Sequence, residues 1–163
     1  MIGASESGGD ATDGPSNLAE DILDQAGDAV IFADRSGTIR RWNRAARALF
    51  GFAAEEALGQ SLDLIIPVHL RVAHWGGFDA AMKEGALKLM GRPTLTRGRH
   101  KSGRKLYVEM TFALVMGNGA AQGSVAVARD VTERIERERE AAAQSNLSAS
   151  PRSPAGETRP TPA

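Results

Sequence analysis

Apolar residues on this chain change their spacing several times between Leu18 and Arg139, and each change marks a different kind of element. Leu18, Ile22 and Ala26 share one face of a leading helix, with Asn17 and Glu20 spaced as a capping box and Gly27 as its stop. Ala29 to Ala33 is a compact apolar run. Asp34-Arg35-Ser36-Gly37 then has the Asp-first, Gly-fourth order of a type I turn, and Thr38 to Trp42 is the returning strand. Asn43 is an N-cap candidate for a helix over Arg44 to Phe50 that Gly51 ends, and a second helical turn over Ala54 to Leu58 stops at Gly59. After the short apolar segment Leu62 to Ile66, Pro67 opens a longer helix that runs from Leu70 to Glu84 and ends at Gly85. On it Leu70, Ala73, His74, Gly77, Phe78 and Ala81 recur at three- and four-residue steps, while Arg71, Asp79 and Lys83 are assigned to the solvated face.

Beyond Gly85 the period drops to two. Val108, Met110, Phe112 and Leu114 alternate with Tyr107, Glu109, Thr111 and Ala113, as in a strand with one buried face. Lys101-Ser102-Gly103 is the turn before it, Gly117-Asn118-Gly119 is a hairpin signal after it, and Ser124 to Ala128 supplies the last strand. Asp130-Val131-Thr132-Glu133 reads as a capping box for a charged helix from Glu133 to Ala143 that leaves the domain surface. The order of strand, strand, short helices, one longer helix and three strands predicts an α+β fold, an antiparallel sheet with helices packed on one face.

Composition narrows what the domain can do. The 163 residues hold 20 Lys and Arg against 20 Asp and Glu, so there is no basic surplus to bind nucleic acid or an anionic membrane. No apolar run reaches the roughly 18 residues of a spanning helix and no secretion signal is visible, so the expected compartment is the cytoplasm. Cysteine is absent, which removes disulfides, thiolate metal sites and thiol-linked chromophores. Residues 1–16 and 148–163 are too poor in large apolar side chains to offset their ordering entropy and are expected to be disordered tails. The domain itself is expected over residues 17–132, with an exit helix over 133–147.

The chain resembles a PAS domain over Ala19 to about Arg137. The resemblance rests on Asp28-Ala29-Val30, Asp34 with Gly37, Trp42-Asn43-Arg44-Ala45-Ala46, Leu49-Phe50-Gly51-Phe52, Glu55 to Gly59, Ile66-Pro67, Lys101-Ser102-Gly103 and Arg129-Asp130-Val131-Thr132-Glu133. It implies a five-stranded antiparallel sheet, a cavity between that sheet and the long helix, and signalling through flanking helices that dimerise. Within the family the chain is most similar to the haem-binding PAS domains of oxygen-sensing kinases that control nitrogen fixation. Ile66-Pro67, Arg71 and His74 reproduce the spacing of the axial ligand there. Counting onward puts Leu89, Met110 and Phe112 over the opposite haem face. Two departures stand out. The position of the oxygen-binding arginine falls on Thr94, with Arg92 nearby, and that of the propionate-binding arginine falls on Ala80, leaving Lys88 as a replacement.

The resemblance therefore implies haem b held by His74 as metal ligand, with Leu70, Phe78, Leu89, Thr94, Met110, Phe112 and Lys88 around it, sensing oxygen, another diatomic gas or redox state. A neutral imidazole suits that role because one ring nitrogen donates its lone pair to iron while the other keeps its proton. The alternative is a cofactor-free dimerisation or interaction module; noncovalent flavin also remains open. His69 and His100 are expected to be exposed, Trp42 turns into the second strand, and Trp75 is left between covering the cavity and a dimer contact. No phosphate loop, kinase motif or nucleophile–base set is present, so no enzyme is expected. Output is expected to go to a separate kinase or regulator, and a homodimer to form through residues 18–26 and 131–143.

Overall fold

The computed structural model describes residues 18–87 and 91–148. Its elements, in chain order, are α1 (Leu18–Gln25), β1 (Ala29–Asp34), β2 (Ile39–Trp42), α2 (Arg44–Phe50), α3 (Ala54–Ala57), α4 (Arg71–Glu84), β3 (Thr94–Arg99), β4 (Lys105–Gly117), β5 (Ala120–Asp130) and α5 (Thr132–Ser148). Single 3-10 turns at Leu62–Leu64 and Val68–Leu70 lead into α4. The two tails and Asn17 lie outside the described residues, except that Ser148 is the last residue of α5.

The five strands form one antiparallel sheet in the order β2-β1-β5-β4-β3. Its register puts alternate residues of neighbouring strands on the same face. Ile31 lies opposite Ala126, which lies opposite Phe112; Ala33 lies opposite Ser124, which lies opposite Leu114; Thr96 lies opposite Val108. This inner face carries the core, in which Ile31, Ile39, Phe50, Leu106 and Val108 are fully buried. The outer face carries Val30, Phe32, Val125, Val127 and Val115, of which Val127 and Val115 are 38% and 41% exposed.

Several local expectations hold for physical reasons that the structure makes specific. Asn43 caps α2 and does more than cap it. Its Oδ1 accepts from Ala46 N and Val30 N, both at 2.9 Å, while its Nδ2 donates to the carbonyls of Leu23 at 2.9 Å and Asp28 at 3.0 Å. One buried amide thus satisfies four hydrogen-bonding partners and ties α1, β1 and α2 together. In the first turn Gly37 donates to Asp34 O at 2.8 Å and takes φ +75°, and a Cβ there would collide with the Trp75 ring. Asn118 and Gly119 both have positive φ (51° and 76°), which is what a two-residue hairpin in the sheet's own twist requires.

Four details differ from expectation. Ala73 and Gly77 are exposed, so the buried face of α4 is Phe78, Ala81 and Met82 with His74 and Trp75 half-buried; the helix lies over the sheet with its second half closest. Arg71 is not on a solvated face: it donates to Ile66 O at 3.2 Å and Asp63 O at 2.8 Å and ties the helix start to the preceding turns. His100 is half-buried because Lys101 N donates to Phe50 O at 2.8 Å, folding the β3–β4 turn onto the end of α2 where the imidazole covers Gly51. At the exit, Asp130 accepts from Thr132 N at 2.8 Å, two residues on, instead of closing a box with Glu133.

Candidate functional site

Between the inner face of the sheet and α4 lies a chamber of about 140 Å³. Five of the residues expected around the site line it: Leu70, His74, Phe78, Met110 and Phe112. Thr94 does not. It sits on the inner face two residues short of the wall, with its hydroxyl 3.4 Å from Arg92 O, and Thr96 takes the wall position because Thr96 is the residue that faces Val108. Leu89 and Lys88 lie outside the described residues. The gap-free count from α4 carried the resemblance across the α4–β3 connection, where an offset of two residues leaves the strand face unchanged and is invisible in the alternation.

The remaining wall comes from residues that the sequence reading passed over. Ala33, Ser124 and Ala126 are small side chains at the centre of the sheet, and the room they leave is what makes the chamber. Their signal in the sequence is slight: small residues at alternate positions of a strand do not announce space until the register shows what stands opposite them.

His74 is positioned by its own helix. Asp63 anchors the first turn through Trp75, whose indole donates to Asp63 Oδ1 at 2.9 Å, and through Arg71 at 3.5 Å. That resolves the role of Trp75, which packs on the first turn at Gly37 and makes edge contacts with His74 and Phe78 at 5.1 and 5.5 Å. The His74 ring stacks on Phe78 with centroids 5.9 Å apart and an interplanar angle of 26°. Its Nδ1 is shut off from solvent and makes no hydrogen bond. Burial pushes the imidazole pKa below its ordinary 6.5, against weaker opposing pulls from Asp63 and Asp79, so the ring is neutral near pH 7. His69 is exposed, as expected.

These features bear directly on haem. Cofactor-sized ligands occupy about 300–1,000 Å³, and a chamber of about 140 Å³ does not fit a porphyrin. A metal-bound histidine also donates its second ring N–H to a carbonyl, carboxylate or water, whereas Nδ1 of His74 has no protein partner. Among the described residues no cluster of three or more His, Asp or Glu side chains is arranged to hold a metal ion.

The far side of the sheet holds the connection to α5. Val131 N donates to Tyr107 O at 2.9 Å and Tyr107 N donates to Thr132 Oγ1 at 3.0 Å. Further along, the Arg139 guanidinium lies 4.7 Å from the centre of the Tyr107 ring and donates to its hydroxyl, with Arg97 5.7 Å from the same ring. Tyr107 is therefore the point where β4 grips both the root and the middle of α5. Beyond these contacts the helix is exposed through Ser145, as its charge pattern predicts.

Comparison with known proteins agrees with this architecture. A protein of Azorhizobium caulinodans is 33% identical over 115 residues, covering 70% of this chain and 16% of the relative. The cell-division control histidine kinase PdhS of Brucella abortus is 30% identical over 112 residues, covering 69% of this chain and 10% of the kinase. The chain thus spans well under a fifth of the length of these relatives. The crystal structure of a PAS domain from Colwellia psychrerythraea superposes with a TM-score of 0.62 at 23% identity, covering 71% of this chain and 96% of that one. The family model described as the PAS fold matches residues 18–131, and the chain belongs to the PAS family.

Proposed function

We propose that this PAS sensor domain reads the occupancy of the chamber and reports it through α5 to a histidine kinase or regulator. The carrying observation is continuity. Met110 and Phe112 of β4 and Ser124 and Ala126 of β5 line the chamber, while Tyr107 of β4 and Val131 just after β5 hold the root of α5. An occupant that is accommodated better in one sheet geometry than another biases the strands that hold α5, and only such a difference in affinity can move the equilibrium. The kinase class of output is supported by the similarity to PdhS. Ala126→Leu, which places side-chain carbon in the chamber, tests the relay: amide exchange across residues 133–145 should change relative to the sheet core, and an unchanged profile would remove the relay.

The signalling unit is a homodimer. Leu18, Ile22 and Leu23 of α1 are 71%, 61% and 40% exposed and continue into the outer sheet face through Val30, Phe32, Val115 and Val125 beside Leu23. A second copy of the chain covers this surface, with α5 running alongside. Light scattering should give twice the chain mass, and a monomer that persists at high concentration overturns the dimer.

A second reading keeps haem b, with His74 as iron ligand and oxygen, another diatomic gas or redox state as the signal. The place of His74 among the residues that line the chamber favours it. It requires α4 to stand off the sheet far enough to enlarge the chamber severalfold. Titration with hemin tests it directly: a Soret band that His74→Ala abolishes supports it, and no band removes it.

A further inference from the structure

The balanced total charge conceals a segregated one. Between Glu84 and Glu109 the chain carries no Asp or Glu, and the β3–β4 hairpin with its approach holds Arg92, Arg97, Arg99, Lys101, Arg104 and Lys105. Among the described residues only Lys101 of these six forms an ion pair, with Glu56. Arg97 and Lys105 share the outer sheet face with Tyr107, and Arg139 of α5 adds a further cation 4.7 Å from the centre of that ring. Glu109, two positions along the same face, is taken up by Arg134 at 3.3 Å.

These cations flank an open sheet edge. β3 is last in the strand order and pairs only with β4. His100 N donates to Arg104 O at 3.0 Å, whereas Arg99 N turns the other way and donates to Ile65 O at 2.9 Å. Bonding direction alternates along an antiparallel strand, so Thr94, Thr96 and Gly98 bond to β4, while the N–H and C=O groups of Leu95 and Arg97 point out from the edge. No described residue pairs with them there. The Leu95 side chain beside them is 52% exposed.

We propose that the β3 edge takes up an extended acidic segment of a partner protein as a sixth strand, its backbone pairing with Leu95 and Arg97 and one of its carboxylates meeting Arg97. Strand addition uses both observations at once: main-chain bonds supply affinity, and the alternate side chains supply selection. A polyphosphate pairs with the edge N–H groups but sets acceptor against acceptor at the two edge carbonyls, which disfavours nucleic acid and anionic lipid. A second copy's β3 brings arginine against arginine, so the same charges oppose self-pairing of this edge. The site is separate from the chamber and does not depend on what the chamber binds.

The test is fluorescence anisotropy of the full chain with a labelled heptapeptide of alternating Glu and Val. An alternating Glu and Pro peptide carries the same charge but cannot pair along a strand, an alternating Lys and Val peptide reverses the charge, and oligouridylate and phosphatidylserine vesicles supply phosphate. The Glu and Val peptide binds saturably, and the other two peptides bind at least about tenfold more weakly. Leu95→Pro, which removes an N–H that β4 does not use, and Arg97→Glu each weaken binding by about tenfold. No binding of the Glu and Val peptide, equal binding of the Glu and Pro peptide, or tighter binding of oligouridylate or vesicles overturns the proposal. Should either variant fail to fold, amide exchange in the unmodified protein serves instead: the Glu and Val peptide slows exchange at Leu95 and Arg97, and unchanged exchange there overturns the strand addition. Each of these readings is independent of exchange in α5, so failure here and failure of the chamber relay are told apart.

Discussion

Replacing Ala126 by Leu adds three carbons at the wall of the chamber, on a strand whose neighbours Ile31 and Phe112 keep the new side chain on the inner face. An empty apolar space of about 140 Å³ represents about 3 kcal/mol of packing not realised, at about 24 cal/mol per Å³. Three carbons entering it gain about 2 kcal/mol at about 0.8 kcal/mol each. Adjusting the neighbouring rotamers costs about 1 kcal/mol. The variant should therefore be more stable by about 1 kcal/mol. Urea unfolding would show this as a rise in midpoint at constant slope, because the surface exposed on unfolding scarcely changes. Destabilisation by more than about 1 kcal/mol would mean that the neighbours have no room to give and that the chamber is not usable space.

Asn43→Ala removes four hydrogen bonds at one point, two of them to buried backbone N–H groups, and should cost about 3 kcal/mol or more in urea unfolding; a loss below 1 kcal/mol would contradict its role as the junction of α1, β1 and α2. Tyr107→Ala leaves the backbone bonds at the root of α5 intact but removes the ring that Arg139 and Arg97 share, so exchange should rise over residues 136–145 while global stability falls by only about 1 kcal/mol. The pH dependence has two separate windows. His74 is held below 6.5, so the unfolded chain takes up a proton first and stability declines as pH falls through about 6.5, a slope that His74→Phe removes from a plot of Tm against pH. Asp34 is held down to about 2, chiefly by the hydrogen bond from Ser36, so its contribution is complete above its ordinary 3.8 and is lost between about pH 4 and 2; Asp34→Asn should flatten that limb.

Local chemistry is what the sequence determined by itself. Asn43 as a cap, Gly51 and Gly85 as helix stops, the turn at Asp34 to Gly37, the Asn118-Gly119 hairpin and the alternation from Tyr107 to Leu114 each depend on residues a few positions apart, and the structure has each of them. The spacing put His74 on the helix face that meets the chamber, but it put Ala73 and Gly77 there as well, and both are exposed, so the fold was needed to show which of that stripe reaches the chamber.

The tertiary structure decided whatever depended on register and on what stands opposite. Thr96 instead of Thr94 reaches the wall because β3 pairs with β4 at Val108. The volume of the chamber depends on Ala33 of β1 meeting Ser124 and Ala126 of β5 across two adjacent strands. That His74 lacks a partner is equally a property of the assembled fold. A spacing rule fixes which side of an element a residue faces; free space and unmet hydrogen bonds belong to pairs of elements, and the chain alone does not say how far apart those pairs come to rest.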